Sequence, residues 1–155
     1  MNDKIKLHGH RLLQAGIILF LIGLLSGFFI NSCPLKILGI AAHLVAFICG
    51  IFLLALGCIW NRLNISTRLS IFGMFLAIYG TYCTWFIYFI AGAWGAGGMF
   101  PIASKGVTGT VLQENIILFL TPTAALSLIV LCIIVLLSLC KNKTLCINDI
   151  FTEEG

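Results

Sequence analysis

Charged side chains are scarce in this chain, and their scarcity excludes most classes of soluble protein. Only 9% of the 155 residues are Asp, Glu, Lys or Arg, whereas soluble domains carry about 25%. Hydrophobic residues make up 61% of the chain, and the mean hydropathy is +1.14. This composition disfavours a water-soluble globular domain and indicates a membrane protein.

The few charged residues separate long apolar runs. Between Arg11 and Lys141, the only charged residues are Lys36, Arg62, Arg68, Lys105 and Glu114. The four apolar runs cover about 12–31, 38–60, 69–92 and 115–140. Each has the roughly 20 residues needed to cross about 30 Å of hydrocarbon. The sequence predicts an all-α, integral membrane four-helix bundle. It forms one domain over 1–155, with a long glycine-rich loop at 93–113.

Basic residues are distributed unevenly across the two predicted sides of the membrane. Of the nine Lys and Arg residues, only Lys36 and Lys105 lie on the side opposite the termini. Because cytoplasmic segments are enriched in Lys and Arg, both termini are predicted to be cytoplasmic. We expect a multi-pass protein of the cell (inner) membrane. The same bias accounts for the net charge of +4, so no nucleic-acid partner is expected.

A redox-active cysteine pair is also missing. The chain has seven cysteines, but no two are spaced as C-x-x-C, and Cys49, Cys58, Cys83 and Cys132 lie well inside apolar runs. Cysteine in such positions is usually a small packing residue. A thiol oxidoreductase is therefore disfavoured.

His43 is the only histidine within an apolar run. At helical spacing its neighbours are Gly39, Ala46 and Gly50, all of them small. A single imidazole among small residues leaves room for a flat ligand and offers it a nitrogen. The alternative is a histidine near the membrane surface that is hydrogen-bonded to a carbonyl or to water. The spacing alone leaves both hypotheses open.

Three weaker signals concern packing. His8 and His10 are expected in an interfacial segment among lipid headgroups, or else in an assembly or cofactor contact. Gly23 and Gly27 form a GxxxG pair, which predicts close approach of another helix, either in this chain or in a second copy. Trp60 is expected to be an anchor at the membrane interface.

The third apolar run is rich in aromatic residues. At helical spacing, one continuous face consists of Tyr79, Tyr82, Phe86 and Phe89. Such a stripe more often belongs to the core or to the lipid-facing surface, but Thr81 and Thr84 interleave with it and would suit an aromatic-lined pocket. The glycine-rich loop that follows is long enough to fold over such a site as a lid.

Three polar residues, Gln113, Glu114 and Asn115, open the last apolar run. A carboxylate near hydrocarbon is costly because it loses the water that solvates it, so a functional role for this group is expected. The alternative is that Glu114 caps the first helical turn, where the helix dipole favours an acidic residue.

Several stretches carry a resemblance to a known family. They are LHGHRLLQAGIILFLIGLLSGF, AAHL, FLLALGCIW, YGTYCTWF, WGAGGMFPIA and GTVLQENIILFL. With similar spacing through nearly all of 7–120, they resemble the hydroxylaminobenzene mutases, which are small bacterial membrane isomerases. A more distant similarity is to styrene oxide isomerase, which also has four helices and a histidine opening the second.

The resemblance implies a cofactor, an assembly and a reaction. Styrene oxide isomerases are trimeric and bind haem b through the histidine that aligns with His43. This similarity implies haem b on His43 and a homotrimer, with ferric iron acting as a Lewis acid and no net redox change. The mutase resemblance implies a small aromatic substrate whose hydroxyl group moves from nitrogen to the ortho carbon, giving a 2-aminophenol.

The candidate site residues follow from this chemistry. Breaking an N–O or C–O bond builds negative charge on oxygen and positive charge on the aromatic partner, which ring faces and a carboxylate stabilise. We expect Glu114, Thr84 and Tyr82 to be catalytic, with Glu114 also moving the ring proton. The expected substrate pocket includes Trp85, Trp94 and Gln113.

The chain departs from these relatives at three positions. Val45 stands where a polar residue is expected, and Cys49 and Thr84 stand where the relatives have asparagine. In styrene oxide isomerase the asparagine aligned with Cys49 is proposed to hold the substrate. Two alternatives therefore stay open: a haem-dependent epoxide isomerase, and a non-catalytic four-helix membrane protein that has lost site residues.

The predicted topology is testable with reporter fusions. Fusions at Lys36 and Lys105 are expected to read as non-cytoplasmic, and a fusion after the last residue as cytoplasmic, because basic residues concentrate at the cytoplasmic side. Alkaline phosphatase and green fluorescent protein activities measure the two locations. A cytoplasmic reading at 36 and 105 would overturn the topology.

Overall fold

The computed structural model describes the backbone of residues 3–152 and the side chains of residues 3–140. The backbone forms five α-helices: α1 (Asp3–Phe29), α2 (Lys36–Ile59), α3 (Thr67–Trp94), the short α4 (Pro101–Ser104) and α5 (Val111–Thr152). Short 3-10 turns, Ile30–Ser32 and Trp60–Arg62, follow α1 and α2. No strand occurs over the described backbone. Four of the helices are long and apolar enough to cross a membrane. The predicted all-α class is confirmed, as is the prediction of four helices long and apolar enough to span a membrane.

Consecutive long helices are neighbours in space. α1 packs along α2, α2 along α3, and α3 along α5, while α1 also contacts α3. One apolar cluster surrounds Trp60 and Leu63, where α2 ends and α3 begins. A second cluster surrounds Leu35, Ile90 and Ile117 at the opposite end of the helices. These two clusters fix the relative positions of the helices at both ends of the molecule.

The first helix begins at Asp3, well before the predicted start near residue 12, because its first turns pack against α3. His8 is buried, and its Nδ1 lies 2.8 Å from Ser70 Oγ. Trp60 is also fully buried and donates its indole N–H to the same hydroxyl at 2.9 Å. The expectation of an interfacial role is therefore wrong for His8 and for Trp60, whereas His10 is exposed.

Small residues line the contact between α1 and α2. Gly9 lies against Gly57, and Gly16 lies against Gly50. A methyl group on Gly16 would lie 2.9 Å from the Gly50 carbonyl oxygen, closer than van der Waals contact permits. Gly23, in the next position of this series, faces Ala46 of α2. The predicted close approach is thus made within one chain, with α2 as the partner.

The segment between α3 and α5 contains the C-terminal caps of α3 and α4, and both caps have a left-handed backbone conformation. α3 ends at Gly95, which has the left-handed φ of 70° that glycine adopts without strain. Lys105, at φ 52°, and Gly106, at φ 85°, reverse the chain after α4. Since α5 begins at Val111, the loop predicted for 93–113 is shorter than expected and contains a helical turn.

Gly16→Leu tests the contact between α1 and α2. A larger side chain has no space beside the Gly50 carbonyl, so we expect a loss of about 1–3 kcal/mol of stability, as overpacked interiors show. The thermal midpoint of the purified protein in detergent measures the loss. Ile17→Leu, at a neighbouring exposed position, is the control and should melt as the wild type does. Equal midpoints for both variants would contradict the tight packing.

Candidate functional site

His43 lies on α2 against the second half of α1. Its Nδ1 is 2.7 Å from the Gly23 carbonyl oxygen, and the ring is half-buried. A carbonyl oxygen only accepts hydrogen bonds, so Nδ1 must carry the hydrogen and donate it. The lone pair of the neutral imidazole is then on Nε2. This arrangement is the one in which a backbone carbonyl orients a histidine for binding a metal through its other nitrogen.

The surroundings of the imidazole are apolar and include one glycine that touches the ring. Phe47 makes an edge contact at 4.5 Å between ring centroids, and Phe20 packs on Phe47 at 4.8 Å. A methyl group on Gly27 would lie 3.0 Å from the His43 Cε1 atom. Glycine at this position therefore lets the imidazole lie directly against the α1 backbone.

Glu114 sits in the first turn of α5 and is bound by the preceding loop. Its carboxylate accepts the Gly109 N–H at 2.8 Å and the Gly98 N–H at 3.1 Å to each oxygen. Two separate parts of the loop are thereby tied to the start of α5. A carboxylate is the appropriate acceptor because charge-assisted hydrogen bonds are stronger than neutral ones.

Gln113 takes part in a capping box that was readable in the sequence as Thr-x-x-Gln. Gln113 Oε1 accepts the Thr110 backbone N–H at 2.8 Å, and Thr110 Oγ1 lies 3.5 Å from the backbone nitrogen of Gln113. This reciprocal pair satisfies backbone groups at the helix start. It also explains why α5 begins at Val111 and not near residue 115.

Tyr82 and Trp85 line an apolar groove of about 460 Å³ on α3. Tyr82 donates its hydroxyl to the Ala15 carbonyl of α1 at 2.8 Å, which holds the phenol across the helix interface. Trp85 stacks on Phe89 with 5.4 Å between ring centroids. Its indole N–H is buried and has no hydrogen-bond partner among the described residues. The groove therefore offers aromatic faces and one unpaired donor nearby.

Thr84 points to a different side of α3. It donates its hydroxyl to the Gly80 carbonyl at 2.7 Å and lines a cavity of about 250 Å³ between α3 and α5. Tyr88, Phe100 and Thr121 line the same cavity. Phe100 comes from the loop before α4, and its ring centroid lies 5.0 Å from that of Tyr88. The loop thus covers part of a cavity that the sequence analysis did not identify.

The predicted site residues therefore lie in several separate parts of the chain's structure. Tyr82 and Trp85 share a groove, whereas Thr84 lies in a separate cavity. Trp94 is 42% exposed at the end of α3. No hydrogen bond between His43 and Glu114 occurs among residues 3–140, since the first contacts α1 and the second contacts the loop.

Two further observations concern metal and cysteine chemistry. The described part of the chain contains no group of three or more His, Cys, Asp or Glu side chains that could hold a metal ion. Within residues 3–140, the thiols of Cys33, Cys49, Cys58, Cys83 and Cys132 are free. Cys49 is half-buried and packs against the apolar cluster around Trp60.

Comparison with known proteins gives a consistent result. A family model described as styrene oxide isomerase matches residues 8–140. Hydroxylaminobenzene mutase HabB of Ectopseudomonas oleovorans is 46% identical over 129 residues, covering 81% of this chain and 77% of the relative. Hydroxylaminobenzene mutase HabA of the same organism is 34% identical over 110 residues, covering 70% and 82%. No solved structure matches the chain. With a match over most of its length, this chain belongs to the styrene oxide isomerase family.

Proposed function

We propose that this protein is a membrane isomerase that rearranges hydroxylamino-aromatics to 2-aminophenols. The observation that carries the proposal is the 46% identity to a protein named hydroxylaminobenzene mutase over 81% of this chain. In this reaction the N–O bond breaks and a C–O bond forms at the ortho carbon. The ortho hydrogen leaves as a proton and nitrogen gains one, so the reaction needs no oxidant or reductant.

We also propose that His43 would hold haem b through its Nε2 atom. The support is the tautomer: with Nδ1 donating to the Gly23 carbonyl, Nε2 is free to bind iron. A single imidazole also suits a macrocycle, which supplies the other ligands itself. When bound, haem b would supply a Lewis-acidic iron that stabilises negative charge on a substrate oxygen.

The chain's own residues would bind the aromatic substrate and stabilise the positive charge that develops on it. The groove lined by Tyr82 and Trp85 offers ring faces that stabilise a positively charged aromatic intermediate. The groove is almost wholly apolar, so it favours an aromatic ring over water. Trp85 could donate its unpaired indole N–H to a substrate acceptor atom, which would satisfy a buried polar group.

Glu114 is the proposed acceptor of the ring proton. Its carboxylate is held by the backbone N–H groups of Gly98 and Gly109, which would keep its position fixed while it exchanges a proton. The competing role is structural, since the same bonds anchor the loop to α5. The two roles of Glu114 can be separated by a substitution that removes the negative charge and keeps an oxygen acceptor. Such a change should slow proton transfer but leave the loop anchored.

A haem-dependent epoxide isomerase is the second candidate function. It is favoured by the family model, which is described as styrene oxide isomerase and matches residues 8–140. For either reaction we propose a homotrimer in the cell membrane, in keeping with the resemblance. Parallel assays with hydroxylaminobenzene and with styrene oxide distinguish the two candidates, and turnover of neither would favour a non-catalytic protein.

His43→Ala is expected to abolish haem retention, because it removes the only proposed ligand atom. The absorbance of the Soret band per mole of purified protein measures bound haem. His10→Ala, on an exposed position of α1, should retain haem as the wild type does. Size-exclusion chromatography verifies that both variants remain folded. Unchanged haem content in His43→Ala would refute the ligand assignment.

Glu114→Gln separates proton transfer from loop anchoring. Glutamine keeps an oxygen for the Gly109 N–H but cannot accept a proton. If Glu114 is a general base, kcat should therefore fall by about a hundredfold or more. Initial rates with hydroxylaminobenzene at matched haem content provide the measurement. If Glu114→Gln is near normal and Glu114→Ala is impaired, the residue anchors the loop and transfers no proton. Asn115→Ala, at an exposed neighbouring position, serves as the control.

A further inference from the structure

Within residues 3–140, the buried hydroxyl groups of the long helices have hydrogen-bond partners, except for that of Ser138; Ser70, for example, accepts the Trp60 indole N–H. Ser26, Thr81 and Ser127 each donate to a carbonyl of their own helix at 2.7 Å. These bonds satisfy a polar group that would otherwise be unpaired in an apolar surrounding. Ser138 is only 5% exposed, and its hydroxyl has no partner among the described residues. Because buried hydroxyl groups in proteins are normally hydrogen-bonded, we expect Ser138 to have a partner from outside the described residues.

Ser138 lines a cleft between the start of α3 and the later part of α5. The cleft has a volume of about 470 Å³, and its lining includes Asn64, Ser66, Leu69, Ile134, Leu137 and Ser138. The polar members precede α3 or lie at the same end of α5. Ile134 is one helical turn before Ser138, and Leu69 is inside the first turn of α3. The cleft is therefore polar toward the helix end and apolar toward the middle of the membrane spans.

The charge at this end of the molecule is positive. α3 begins beside the cleft, and Ser66 caps it by accepting the Leu69 N–H at 3.3 Å. The N-terminus of a helix carries a partial positive charge that favours anions. Arg68 is exposed two residues after Ser66. The sequence continues from Ser138 to Lys141 and Lys143. An anionic group with an apolar tail would match both the charge and the lining.

We propose that this cleft binds one phospholipid of the surrounding bilayer. A phosphate oxygen accepts the Ser138 hydroxyl near the N-terminus of α3. The upper part of an acyl chain packs against Ile134, Leu137 and Leu69. This occupant supplies both the missing hydrogen bond and an apolar cover, and the membrane that the helices cross provides it at high concentration.

Lipid-dependent stabilisation of the full-length protein tests the proposal. The delipidated protein in detergent is titrated with palmitoyl-oleoyl phosphatidylglycerol, and its thermal midpoint is followed. A ligand that binds only the folded state raises the midpoint, and near saturation we expect a rise of roughly 5 °C. Native mass spectrometry counts the lipids retained. Palmitoyl-oleoyl phosphatidylcholine should also stabilise, because it carries the same phosphate, whereas diolein, which has the ester groups and acyl chains but no phosphate, should not.

Two variants and one matched control locate the effect in the cleft. Ser138→Ala should lose at least half of the lipid-induced shift, and Ile134→Trp, which fills the cleft, should lose nearly all of it. Ser127→Ala removes a buried hydroxyl of α5 that already bonds to Ala124 and should keep the full shift. The proposal is overturned if both cleft variants keep the wild-type shift or if diolein stabilises equally. It is also overturned if Ile134→Trp lowers the mass of the assembly while lipid binding persists, since a second copy would then occupy the cleft.

Discussion

The close approach of α1 and α2 is the contact on which the proposed cofactor site depends. Glycines at their crossing bring the two backbones so close that a single methyl group at Gly16 would meet the Gly50 carbonyl. Because the helices are this near, His43 reaches the carbonyl of Gly23 across the interface. That one bond selects the imidazole tautomer and leaves Nε2 as the free nitrogen. Packing of the smallest residues thus sets the chemistry of the histidine.

The loop before α5 is organised by a second set of backbone contacts. Glu114 binds the N–H groups of Gly98 and Gly109, and Gln113 closes a capping box with Thr110. Two adjacent side chains therefore fix the loop and begin the helix at the same time. Phe100, carried by this loop, covers the cavity that contains Thr84 and Tyr88. Because Glu114 holds this loop, a change in its charge would act on the cavity through the position of the loop.

The composition and the lengths of the apolar runs predicted the four spans, because the thickness of the hydrocarbon layer sets the length of each run. They also placed His43 beside small residues of its own helix, but the structure puts Gly50 and Ala46 against α1 and Phe47 against the imidazole. Composition and spacing failed for His8 and Trp60, because their common partner Ser70 lies 62 residues from His8 and 10 residues from Trp60 on another helix, and neither contact follows from helical spacing. The apolar run alone predicted a start of the last helix near residue 115, whereas the Thr110–Gln113 capping pair begins α5 at Val111. The separation of Thr84 from the Tyr82 groove was not, since it depends on how α3 is rotated against α1 and α5.

The hydrogen bond from His43 joins residues only 20 positions apart in the chain. Closing so short a segment costs little entropy compared with bringing distant segments together. Both partners leave the ribosome well before α5 is synthesised, so the hairpin of α1 and α2 can form while translation continues. The imidazole can then be oriented before the last long helix is made. Orientation of this side chain and completion of the four-helix fold are therefore separable steps in the folding of this protein.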